Sequence, residues 1–137
     1  VKTRTYRLRL SDLGCEAFLA CHHRLGKISH SFVPHGHTQF VALLLADRLP
    51  PAVLADVLDH SRTRSFSGPT RYHVGMADIS EDVIYRMTRK LERSRICYKT
   101  PGAGDLYIAA IAVMLEVSDQ EVREAYKLMQ SLVSAAI

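Results

Sequence analysis

The sequence predicts a mostly helical domain carrying a two-stranded antiparallel ribbon, with two copies of a strand–helix–helix unit set about a pseudo-twofold axis. Three observations lead there. The opening stretch Thr5 to Asp12 alternates apolar and polar side chains strictly, which is the period of a half-buried strand. Beyond it, Leu13, Ala17, Phe18, Cys21 and Leu25 recur at the spacing of one helical face. The whole pattern then begins again 66 residues later.

In the first strand, Tyr6, Leu8 and Leu10 share one face, and Thr5, Arg7 and Arg9 share the other. The apolar face needs a core beneath it. Two arginines on the opposite face point to an anion rather than to a second sheet. Ser11 or Asp12 caps the following helix, and Gly26 is the expected stop. A loop is expected over Lys27 to His37, with Pro34 and Gly36 as turn residues. A second helix should begin near Thr38 and run to Asp47, broken by Pro50-Pro51, and Ala52 to Leu58 reads as a short helix. Ser61 to Thr70 has the composition of a linker.

At Arg71 the strand pattern returns. Tyr72, Val74, Met76 and Asp78 fall on Tyr6, Leu8, Leu10 and Asp12 at the offset of 66. Ile79, Val83, Ile84, Met87 and Leu91 then fall on the apolar helix positions of the first copy. Strand phase, cap and helix face agree at one offset, the mark of a repeat. Leu106 to Leu115 is the second apolar helix of this copy. Ser118-Asp119-Gln120-Glu121 opens a further helix with a capping box. Its apolar positions from Val122 to Val133 read as a brace over the core. The division expected is residues 1–60 as the first unit, 61–70 as linker and 71–137 as the second unit, both sharing one core. A lone strand cannot satisfy its backbone hydrogen bonds, so each copy supplies the other's partner.

With those residues in place, the sequence resembles the ribbon-helix-helix (MetJ/Arc) family. Tyr6 to Leu10, Asp12, the Leu13–Leu25 helix and their copies from Tyr72 to Leu91 carry the resemblance. The family is usually a homodimer of one unit. This chain is similar to the single-chain tandem form found among conjugative relaxosome accessory proteins, including the TraY type and the overdrive-binding virulence protein of tumour-inducing plasmids. The resemblance implies binding to double-stranded DNA through the ribbon, as a plasmid DNA-transfer accessory factor or a transcriptional repressor. It also implies a relaxase or other relaxosome proteins as possible partners, and a monomer that is an intramolecular pseudo-dimer. The alternative is a protein-interaction module, antitoxin-like or scaffold, that has lost DNA binding and works through the acidic C-terminal helix.

A two-stranded ribbon fits the major groove of B-DNA. The outward positions Thr5, Arg7 and Arg9, with Arg71 and His73, are the expected base contacts, while Gly75 offers no side chain. The first half of the ribbon is the richer in arginine, so a lopsided, non-palindromic site dominated by that half is expected. The start of each unit's second helix suits a phosphate. In the first copy Gly36, His37 and Thr38 are the expected phosphate contacts, with Lys27 adding charge. In the second they are Gly102 and Gly104, with Lys99; Asp105 would repel a phosphate unless it serves as a cap. The same glycines read equally well as loop punctuation.

The net charge of +4 is compatible with a polyanionic partner. Arg62, Arg64 and Arg71 form one basic cluster and Arg86 to Arg95 another, while acids gather near the C-terminus. Five histidines lie between His22 and His37, but no pair has zinc-ligand spacing, so no metal or other cofactor is expected. Nucleophile elbow, phosphate-binding loop and metalloprotease motifs are absent from the sequence, and no enzyme is expected. Three cysteines without a CxxC spacing, and no apolar run of spanning length, give the expectation of a reduced, cytoplasmic protein. The chain begins at Val1 rather than Met, as expected of a fragment or a processed chain.

Overall fold

In the computed structural model, which describes residues 2–136, β1 (Thr3–Leu10) pairs antiparallel with β2 (Thr70–Ala77), and most of the other described residues are helical. The helices are α1 (Asp12–Ser29), α2 (His35–Asp47), α3 (Pro51–Asp59), α4 (Ser61–Ser65), α5 (Ser80–Ser94), α6 (Ala103–Glu116) and α7 (Asp119–Ala135). The alternation of both strands comes out as read. Leu8, Leu10, Val74 and Met76 are buried beneath the ribbon, and Thr5, Arg7, Arg9, Arg71, His73 and Gly75 are exposed above it. Each such buried side chain contributes roughly 1.5–3 kcal/mol, so a one-residue slip of either strand is strongly disfavoured.

Beneath the ribbon, α2 and α6 form the centre of one continuous core and pack chiefly against each other. Both are apolar nearly all round and buried along most of their length, as helices covered on every side must be. α2 lies under β2, and α6 and α1 meet β1. α1 and α5 are amphipathic and bury one face. α7 is capped by Ser118 and Glu121 as predicted, and lays Val122, Ala125 and Met129 against the core beside α2.

Two long side chains cross the core's edge to the carboxyl ends of the central helices. Arg24 on α1 donates to the carbonyls of Met114 and Val117 at the end of α6, and to Asp119 at 2.8 Å. Lys90 on α5 donates to the carbonyls of Asp47 and Leu49 at the end of α2, at 2.7 and 2.8 Å. A cation there satisfies carbonyls that the helix leaves open and meets the negative end of its dipole. Burial pulls the Lys90 ammonium below its usual pKa, partly offset by Asp47.

Several boundaries differ from the sequence reading. α1 does not stop at Gly26 but runs one turn further, to a left-handed cap at His30 with φ 54°. α2 starts at His35 rather than near Thr38, so the connection is only residues 30–34. Leu13, expected in the core, is 56% exposed; Gly14 faces inward instead, where an added Cβ would lie 2.1 Å from the carbonyl oxygen of Phe66. Asp78 does not cap α5, whose first residue follows Ile79 without a side-chain cap. Residues 61–70 are not a free linker. They contain α4, bury Thr63 and Phe66, and pair Ser67 with Leu10 beside the end of β1.

Candidate nucleic-acid interface

The register fixes what the ribbon presents. Thr5 lies opposite Gly75, Arg7 opposite His73 and Arg9 opposite Arg71. None of Arg7, Arg9 and Arg71 enters an ion pair among the described residues. Most other arginines are occupied. Arg4 pairs with Glu81, Arg24 with Asp119, Arg48 with Glu121 and Arg86 with Asp47. Arg62 and Arg64 pair with Glu116 and Asp59. The basic cluster read at 62–71 is therefore largely neutralised from within, and Arg71 alone of the three remains unpaired. Arg7, Arg9 and Arg71 thus stand together without a carboxylate on the outer face of the ribbon, while Arg89, Arg93 and Arg95 at the end of α5 and Arg123 on α7 are the other arginines outside any ion pair among the described residues.

The ribbon is held firmly from below. The Tyr6 hydroxyl donates to Glu81 at 2.8 Å, joined by Arg4 at 3.2 Å, tying the start of β1 to the first turn of α5. The Tyr6 ring meets Tyr107 edge-on, with centroids 6.3 Å apart. Burial, reinforced by the Glu81 carboxylate, pushes the Tyr6 hydroxyl up to about 12, so it stays a donor.

Of the expected phosphate contacts, two in the first copy serve other purposes. Gly36 is buried, and a Cβ there would lie 1.6 Å from the carbonyl oxygen of Gly75. Its lack of a side chain allows close approach of α2 to the ribbon's backbone. Thr38 is 1% exposed, and its hydroxyl lies 2.7 Å from His22 Nδ1. His35 stacks on His22 with centroids 4.3 Å apart, and Phe18 stacks on both. These contacts between α1 and the first turn of α2 were missed from sequence because their partners lie on different helices. They hold an N-terminus whose cap, Pro34, supplies no side-chain acceptor. His37 sits on that first turn, half-buried. Lys27 is exposed on the last turn of α1 and lines a hollow of about 570 Å³ with His22, His23 and Phe32.

The second junction is more open. Gly102 and Gly104 are exposed, and nothing lies within 4 Å of a Cβ built on Gly104. Asp105 is a cap, accepting from the Gly102 N–H at 3.1 Å. Lys99 shares a hollow of about 750 Å³ with Arg64, Ser67 and Gly102, but Asp59 and Asp105 line it too. Among the described residues no group of three His, Cys, Asp or Glu side chains is placed to hold a metal. Cys21 is a core residue, its thiol pushed up to about 12 by burial. No helix among the described residues is long and apolar enough to cross a membrane.

The histidines at the first junction set a pH dependence. Burial, and then the neighbouring His35, lowers the pKa of His22; burial lowers that of His37, whose Nδ1 is enclosed without a partner. The folded state therefore favours their neutral forms. Their contribution is complete above the ordinary histidine pKa of about 6.5. It is lost as pH falls through that value towards the lower folded-state pKa, because the unfolded chain binds the extra protons. The melting temperature is expected to fall on acidification from pH 7.5 to 5, and the fall to be shallower in a His22→Gln/His37→Gln double variant. Equal slopes would show that the titration lies elsewhere.

Comparison with protein-family models, with curated proteins and with solved structures finds no match for this chain.

Proposed function

We propose that this chain is a sequence-selective double-stranded DNA-binding protein, a single-chain tandem ribbon-helix-helix that inserts its ribbon into the major groove. The observation that carries this reading is the outer face of the ribbon, where Arg7, Arg9 and Arg71 stand exposed and unpaired while six other arginines are neutralised by carboxylates. No carboxylate pairs with these three among the described residues, which leaves them available to an anion.

The tandem reading draws support from two relations. The ribbon centres on Arg7 opposite His73, the two residues that the repeat offset of 66 equates. Arg24 and Lys90, again 66 apart, each reach across to the end of the other unit's second helix. Reciprocal contacts between equivalent positions are what a pseudo-twofold axis generates. On this reading the chain is a monomer that presents an intramolecular pseudo-dimer. Its biological role is that of a DNA-transfer accessory factor, working with a relaxase or other relaxosome proteins, or of a transcriptional repressor.

The interaction-module alternative relies on the acidic C-terminal helix as a working surface. That helix has its apolar face on the core, and its Asp119 and Glu121 are engaged by Arg24 and Arg48. Fluorescence anisotropy of random duplex DNA with the full chain separates the two. Binding at low salt that weakens steeply as salt is added is the expected result, since each phosphate contact contributes about −0.9 to the slope of log K against log salt. Absence of binding at low salt would favour the interaction module.

A further inference from the structure

The asymmetry of the ribbon runs along its length rather than between its strands. Its outer face has one end built from Thr3, Thr5, Gly75 and Ala77, none of them charged, and another where Arg9 directly faces Arg71. Side chains directly opposite on an antiparallel pair are near neighbours, and like charges there repel. Neither guanidinium has a carboxylate to relieve the repulsion among the described residues. Arg7 and His73 form the next pair inward, so positive charge is concentrated from the centre to this end. The opposite end is low. A Cβ on Gly75 would come within 3.3 Å of the Thr3 methyl, so the backbone and two threonine methyl groups form the surface there.

We infer that the ribbon reads a directional DNA site, with guanine acceptor edges in adjacent base pairs under Arg9 and Arg71 and A·T pairs under Thr5 and Gly75. The inference rests on the DNA-binding reading and deepens it. Two guanidiniums held side by side match clustered acceptors, and guanine O6 and N7 are the densest acceptor pair in the major groove. A surface of threonine methyls and bare backbone makes apolar contact with thymine methyl groups and allows close approach. The four outward pairs of the register divide between these two ends, so the protein can sit on its site one way round only. A division of labour between the strands would instead make Arg71 secondary.

Selection of bound sequences from a random duplex library, with the wild-type chain and with Arg9→Gln and Arg71→Gln variants, tests this. The wild type should select an asymmetric motif, G·C-containing at one end and A·T at the other. Each glutamine variant should change preference at the same end, towards adenine, and weaken binding to the wild-type motif roughly 5- to 150-fold. Changes at opposite ends, or a palindromic motif, would overturn the inference alone. A uniform loss on all sequences would also overturn it, by assigning the pair to phosphate. No duplex binding by the wild type at low salt would overturn the DNA reading itself, and the inference with it. A DNA-free readout stands beside these. Added salt should raise the melting temperature of the wild type more than that of Arg71→Gln, because screening relieves a repulsion only the wild type has. Equal responses would count against a charge-loaded pair.

Discussion

Replacing Gly36 with alanine is expected to lower the melting temperature by roughly 10 °C, from an overpacking cost at or above the top of the usual range of about 1–3 kcal/mol. The added methyl group would lie 1.6 Å from the carbonyl oxygen of Gly75 and 2.6 Å from its carbonyl carbon. Those atoms are backbone of a paired strand, so no rotamer change can yield space. Either α2 withdraws from β2 or the ribbon shifts, and both disturb the surface proposed to meet DNA. Gly104→Ala is the matched control. It lies near the start of α6, where an added Cβ meets nothing within 4 Å. There the change should be neutral or stabilise by up to about 1 kcal/mol. Thermal melts of the two variants decide between roles. If Gly36 served only to admit a phosphate, its alanine variant would keep wild-type stability and lose only DNA affinity.

That contrast marks what could be read from the chain itself. The two strands were legible because a period of two assigns each residue to a face without knowledge of the partner: Leu8 and Leu10 inside, Arg7 and Arg9 outside. The capping box at Ser118 was legible for the same reason, since all its atoms lie within one turn. Gly36 was not. Sequence shows a glycine before a helix; only the fold shows that the strand across from it is packed backbone to backbone. The end of α1 was misplaced because Gly26 sits inside a helix whose continuation fits the packing, and a non-glycine, His30, takes the left-handed cap. The start of α2 had a local signal in Pro34, which immediately precedes the first helical residue. The ion pairs of Arg62 and Arg64 changed the charge reading most. Glu116 is 54 residues from Arg62 in the chain, and no local pattern predicts that meeting. Once the register is known, however, the unpaired arginines of the ribbon face are easily picked out.

Those arginines carry the second large effect. Arg7→Ala/Arg9→Ala is expected to weaken binding to the preferred site by roughly 30-fold to 10⁴-fold, from about 1–3 kcal/mol for each bidentate guanine contact. Both side chains are exposed and unpaired, so the fold should lose nothing, and removal of Arg9 eliminates a repulsion with Arg71. His73→Ala should cost less, since a lone imidazole cannot make the bidentate contact. Titrations of specific and random duplexes across a range of salt concentrations separate base reading from phosphate binding. If the arginines read bases, the double variant should lose most of its preference for the specific duplex, keeping only what Arg71 supplies, with its affinity for random DNA and its salt slope little changed. If they hold phosphates, affinity should fall on both duplexes alike and the slope should drop by about 0.9 for each arginine removed. An undiminished preference for the specific duplex would remove Arg7 and Arg9 from recognition. The phosphate outcome would leave the protein on DNA but pass sequence reading to some other part of the ribbon, with Arg71, His73 and Thr5 the remaining outward side chains able to contact a base edge.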